Sequence, residues 1–171
     1  MGPAIDSASR VHVSGMGNGV FPVHGGGLSE RDDNNNNNNK SNGHPFSCKN
    51  KLTALVVDSE RVCRVLEKAF LLSFGVETEA LETGEAAVEL IASGANFNLI
   101  VIDMFLPVMN GPETARQIRA MGVQSRILGI TPMFDERDQQ EFLAAGVDEF
   151  IEKPLSPEIL IPILMELDNQ I

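Results

Sequence analysis

A chain of 171 residues with 43% hydrophobic side chains holds enough apolar material for one ordinary domain and a further segment. It carries 24 acids against 13 bases; four of each lie in residues 1–50, so the whole net charge of −11 belongs to residues 51–171. That sign repels phosphate backbones and argues against nucleic-acid binding, and no apolar run is long enough to cross a membrane.

Residues 1–50 are rich in Gly, Ser, Asn and His and show neither helical nor alternating periodicity. Asn34–Asn39 is a homopolymer. A segment of this composition buries too little apolar surface to offset its ordering entropy, so a disordered low-complexity tail is expected. Gly15, Gly17 and Gly19 follow no buried strand and read as linker, not as a dinucleotide loop. All three histidines (His12, His24, His44) lie in this segment, which leaves none for general base catalysis in the folded part. Cys48 and Cys63 are too few for a disulfide framework or a metal site, and a reduced, intracellular protein is the simple expectation.

From Lys51 onward, short apolar runs alternate with helical periodicity. Thr53 to Val57 reads as a strand ending at Asp58-Ser59-Glu60. The helix after it sets Val62, Val65, Leu66, Ala69 and Phe70 on one face and closes at Gly75. Val76 to Leu81 alternates apolar and acidic residues, as expected near a sheet edge. Thr83 caps a helix that closes at Gly94. Leu99 to Ile102 is an unbroken apolar run, hence a strand buried on both faces, and it opens at Asp103 into a loop bounded by Pro107 and Gly111. A helix then carries Ala115, Ile118 and Met121 to Gly122. Arg126 to Ile130 forms a fourth strand ending at Thr131-Pro132. Asp135 opens an acidic helix capped by Gly146, and Asp148 to Ile151 is a short fifth strand before Lys153-Pro154. Ser156-Pro157 starts the last helix, in which Pro162 must remove a hydrogen bond and produce a kink. Five strands alternating with five helices imply an α/β doubly wound parallel sheet.

In such a sheet all strands send their carboxyl ends to one side, where ligands bind. Asp58, Asp103, Thr131 and Lys153 therefore converge. Gathered carboxylates repel one another unless a cation lies between them, and a hard ion with oxygen ligands, Mg²⁺ above all, suits that place. An ammonium and a hydroxyl facing the same spot are what a phosphoryl group needs. The set reads as one carboxylate that accepts a phosphoryl group, with a metal and a lysine neutralising the charge.

Four motifs together carry a family resemblance over residues 51 to about 168. They are Leu55-Val56-Val57-Asp58, the Asp103-Met104-Phe105-Leu106-Pro107-Val108-Met109-Asn110-Gly111 segment, Thr131 closing a strand, and Lys153-Pro154. The chain resembles the receiver domains of two-component response regulators, and its wording is most similar to plant regulators of the cytokinin phosphorelay. The resemblance implies a flavodoxin-like (βα)5 fold over residues 51–171 with strand order 2-1-3-4-5. It implies Asp103 as the phosphoacceptor, with Asp58, Asp103 and the Phe105 backbone carbonyl as Mg²⁺ ligands. Thr131 would be the switch hydroxyl, Lys153 the site lysine with a cis bond before Pro154, and Phe150 the mobile aromatic.

On this basis the chain is expected to be a monomeric, stand-alone regulator in the cytoplasm or nucleus. It would take its phosphoryl group from a histidine-containing phosphotransfer protein, acting as a signalling domain and not as an enzyme. It departs from the family at Ser59, where a second acid is usual and commonly binds the metal. The alternative is a phosphorylation-deficient interaction module. A phosphatase built on an aspartyl-phosphate would need an acid two residues past the nucleophile, where Phe105 stands.

Overall fold

The five apolar runs become five parallel strands: β1 (Thr53–Val57), β2 (Glu77–Leu81), β3 (Leu99–Asp103), β4 (Arg126–Thr131) and β5 (Glu149–Glu152). They lie in the order β2-β1-β3-β4-β5, the flavodoxin-like order expected. The computed structural model describes residues 46–171. The expected disorder of the N-terminal tail therefore falls, for residues 1–45, outside the described residues.

Helices α1 (Arg61–Ser73), α2 (Gly84–Ala92), α3 (Gly111–Ala120), α4 (Glu136–Ala144) and α5 (Pro157–Asn169) cover both faces of the sheet. Successive strand residues point to opposite faces, so β3 serves two cores. Leu99 and Val101 join Leu71, Phe74, Leu160 and Leu164 of the α1 and α5 layer. Ile100 and Ile102 join Ala87, Ala115, Ile118 and Phe142 of the α2, α3 and α4 layer. Every residue of β3 is buried, whereas β2 at the edge alternates buried Thr78 with exposed Glu77 and Glu79.

Helix starts follow the polar residues that precede them. Thr83 accepts from the Ala86 N–H, Asn110 from the Glu113 N–H, and Asp135 from those of Arg137 and Asp138. Pro162 lies inside α5, which spans Pro157–Asn169. The peptide bond between Lys153 and Pro154 is cis, as the resemblance implied.

The apolar stripe of α1 is covered only in part: Phe70 packs on the core, but Val62, Val65 and Leu66 are 70%, 57% and 53% exposed. The residues α1 buries are Glu67 and Leu71. Periodicity identifies a stripe, but only the strands beside it decide which stripe turns inward, and here the inward one carries an acid.

Residues 46–50, which composition groups with the tail, pack on the domain. The Phe46 ring packs at a tilt against Phe74 with centroids 6.1 Å apart, and the Cys48 N–H donates to the Phe74 carbonyl at 2.9 Å. Asp168, near the end of α5, accepts from the Lys49 and Asn50 N–H groups at 2.8 and 2.9 Å.

Candidate functional site

The carboxyl ends of β1, β3 and β5 bring Asp58, Asp103 and Lys153 into direct contact. Both acids are buried, at 0% and 3% exposure. The Lys153 ammonium donates to Asp58 Oδ2 at 2.7 Å and pairs with Asp103 Oδ2. The other oxygen of each acid is held by backbone: Asp58 Oδ1 accepts from the Glu60 N–H at 2.9 Å, and Asp103 Oδ1 from the Phe105 N–H at 2.7 Å. Both carboxylates are thus fixed in orientation before any ligand arrives.

The loop after β3 approaches its own strand closely. The Gly111 N–H donates to the Met104 carbonyl at 3.0 Å. A Cβ at position 111 would stand 2.2 Å from the Asp103 carbonyl oxygen, so only glycine lets α3 start there. Val108, at the tip of this loop, is fully exposed in left-handed backbone with φ 65°, a costly conformation for a β-branched residue.

Thr131 is fully buried at the end of β4, but its hydroxyl donates to the Met133 carbonyl at 2.9 Å, within its own loop. Phe150 is half-buried. Its ring stands between Phe134 and Phe142, with centroids 5.5 and 5.6 Å away. Ser59 lies at the rim, its Oγ 3.5 Å from the Phe105 carbonyl oxygen. The residue at the family's second acidic position therefore faces the carbonyl expected to bind metal.

The group that sequence reasoning missed is Glu67. It reaches into the site from α1 at 4% exposure, its Oε1 4.0 Å from the Lys153 ammonium. Neither of its oxygens meets a hydrogen-bond donor; beside the Asp58 carboxylate it can only donate, by keeping a proton. The one available signal was an acid standing alone in the stretch from Val65 to Phe74.

Ionisation follows from this crowding. Burial, the proton shared with Asp58 and the Asp58 charge push Glu67 up to about 9. Burial also raises Asp103 above the usual carboxylate range, against the pull of Lys153 and the Phe105 N–H. Asp58 goes the other way: burial lifts it, but hydrogen bonds from Glu67, Lys153 and the Glu60 N–H outweigh that and hold it low. Burial disfavours the Lys153 charge too, yet its bonds to Asp103 and Asp58 raise it, so the ammonium stays charged. Three carboxyl groups share one ammonium. Such a site has room in its charge balance for a cation, and the oxygen donors of Asp58, Asp103 and the Phe105 carbonyl suit Mg²⁺.

Comparison with known proteins identifies the family of this fold. A family model described as the response regulator receiver domain matches residues 54–164. Two-component response regulator 24 of Arabidopsis thaliana is 38% identical over 124 residues, covering 72% of this chain and 89% of that protein. Two-component response regulator ORR42 of Oryza sativa subsp. japonica is 38% identical over 118 residues, covering 68% and 87%. Among solved structures, the receiver domain of the Arabidopsis thaliana histidine kinase CKI1, complexed with Mg²⁺ and BeF3⁻, aligns with a TM-score of 0.61. Its identity is 26%, and the match covers 69% of this chain and 90% of that one.

Proposed function

This chain belongs to the response regulator receiver domain family, and from that premise we propose that Asp103 accepts a phosphoryl group from a phosphohistidine. The donor is a histidine-containing phosphotransfer protein of a plant phosphorelay, of the kind that serves cytokinin signalling, acting on a monomeric receiver in the cytoplasm or nucleus. The observation that carries the reading is the buried Asp103 carboxylate, oriented by the Phe105 N–H and paired with Lys153 beside Asp58.

A carboxylate oxygen of Asp103 attacks phosphorus in line. The P–O bond of an acyl phosphate forms as the P–N bond breaks, and the imidazole nitrogen keeps that electron pair and takes up a proton. Lys153 neutralises charge on the phosphoryl oxygens, and the fixed pose of Asp103 supplies the orientation that makes the step effectively unimolecular. Asp58, Asp103 and the Phe105 carbonyl would hold Mg²⁺, which supplies further charge neutralisation when bound. Thr131 must give up its bond to the Met133 carbonyl before its hydroxyl can meet a phosphoryl oxygen, and Phe150 can follow that movement. Around the mouth, exposed Val62, Val65 and Leu66 of α1 and Phe105 offer an apolar landing surface for the carrier.

The test is incubation with a small phosphodonor and Mg²⁺, read by intact mass. The chain should gain one phosphoryl group and the Asp103→Asn variant none; label that persists in the variant overturns the assignment.

Ser59 supports a second reading, a receiver that binds its partner without accepting phosphate. Restoring the acid discriminates. Ser59→Asp should lower the Mg²⁺ concentration at which phosphorylation saturates by roughly ten- to a hundredfold, the worth of one charge-assisted contact. Mass gain by the Ser59→Asp variant alone would favour the second reading. Equal saturation in both would mean that residue 59 does not face the metal.

A further inference from the structure

Glu67 does not fit the phosphoryl chemistry, and its surroundings explain it differently. A buried carboxyl without a donor is expensive unless it holds a proton or faces a cation. One turn before it on α1 stands Cys63, four residues away and therefore on the same side of the helix. A ligand atom from each of Asp58, Cys63 and Glu67 lies within 4.8 Å of the other two. That spread exceeds the ligand spacing of a tetrahedral ion with bonds of about 2.0–2.3 Å by roughly an ångström, which side-chain rotation can close. Beside the cluster a cavity of about 80 Å³, lined by Cys63, Leu66, Glu67, Phe70, Lys153 and Pro154 among others, offers a way in from the α1 surface.

We propose that Asp58, Cys63 and Glu67 form a second cation site, for a thiophilic divalent ion such as Zn²⁺, and that filling it withdraws Asp58 from the phosphoryl site. The donor set selects the ion. One sulfur and two carboxylate oxygens suit Zn²⁺ and are poor for Mg²⁺, which wants oxygen only. On binding, the Cys63 thiol and the Glu67 carboxyl each give up a proton and Zn²⁺ takes their place, with water as fourth ligand. The exchange leaves the net charge of the cluster unchanged, two protons leaving for one divalent ion, while Lys153 remains on Asp103. Counting cysteines gave no metal site because the count looks for several thiols, and this site uses one.

Asp58 belongs to both sites. Its Oδ2 faces Lys153 and its Oδ1 the Glu60 N–H, and an oxygen committed to an ion on the α1 side is withdrawn from the Mg²⁺ set beside Asp103. Zn²⁺ would then act as a brake on phosphorylation. Only this last arm rests on Asp103 as the phosphoacceptor, so binding is measured apart from it.

The native chain gives the first measurement. Zn²⁺ should protect Cys63 from alkylation by iodoacetamide and leave Cys48 reactive, read residue by residue from peptide masses. Co²⁺ should produce thiolate-to-cobalt charge-transfer absorption that Zn²⁺ abolishes and excess Mg²⁺ does not. The band should vanish in Cys63→Ser, survive in Cys48→Ser, and need at least about tenfold more Co²⁺ in Glu67→Gln. Finally, Zn²⁺ should slow phosphoryl mass gain in the native chain but not in Cys63→Ser. Failure of Zn²⁺ to protect Cys63, equal protection of Cys48, or a band unchanged by the loss of Cys63 overturns the site. Binding without slowing would keep the site and overturn the brake.

Discussion

Helices α1 and α3 each follow a strand that ends in a site acid, yet they are built on opposite plans. Helix α3 begins with an Asn110 cap and Pro112, buries Ala115 and Ile118, and carries Arg116 beside Glu113 outside. Helix α1 begins at Glu60 without a side-chain cap bond, has no acid in its first turn, buries Glu67, and exposes Val62, Val65 and Leu66. Each of these departures weakens a free-standing helix. The contrast teaches that packing is unevenly divided between two sides of the sheet: α3 commits its apolar residues to the core, whereas α1 leaves apolar residues outside and turns an acid toward the site. Under the proposed function, α1 is the helix that would meet the carrier.

Three changes probe that division. Near pH 5, Ile118→Ala in α3 should have the largest effect, about 2–5 kcal/mol lost, because the side chain is fully buried between β3 and its neighbours. Denaturant unfolding measures it, and a loss under 1 kcal/mol would show that α3 is no anchor.

Next comes Glu67→Gln, whose effect depends on pH. In the folded chain Glu67 titrates at about 9, against the ordinary 4.5. Below pH 4.5 it is protonated in both states and contributes no slope. Between 4.5 and 9 the unfolded chain ionises while the folded chain keeps its proton. Stability therefore falls as pH rises, by at most about 1.4 kcal/mol per unit. Gln does not titrate, so with chelator present the melting temperature of the variant should overtake that of the native chain by a margin growing from pH 5 to 9. Parallel melting curves would refute a protonated Glu67.

The smallest effect on stability is expected from Leu66→Ala on α1, within about 0.5 kcal/mol, since the side chain is already half exposed. The same variant should weaken capture of a phosphotransfer protein severalfold in a binding titration. If stability falls by 2 kcal/mol or more while binding is unchanged, the roles drawn for the two helices are wrong.

Much of this was legible in the sequence. Leu99 to Ile102 could only be a central strand, and parallel strands carry whatever follows them to one edge. The strand ends therefore bring Asp58, Asp103, Thr131 and Lys153 to the same edge. Glu67 was illegible for the same reason that the exposure of Val62, Val65 and Leu66 was. An amphipathic pattern gives the angle between stripes, not the direction of the sheet, and an acid in a helix is ordinarily assigned to water. The hydroxyl of Thr131, turned to Met133 and not to Asp103, was equally out of reach, because rotamers answer to neighbours in space.

The clasp between Asp168 and the Lys49–Asn50 backbone has a topological consequence. It brings the first residues before β1 and the last turn of α5 within a hydrogen bond of each other, so the path of the domain is nearly a closed ring. Folds of that kind accept new ends. A circular permutant that joins Ile171 to Phe46 through a short linker and opens at the exposed Gly122 turn should keep the sheet and the site intact. The order in which this chain is synthesised would then be separable from the structure it reaches.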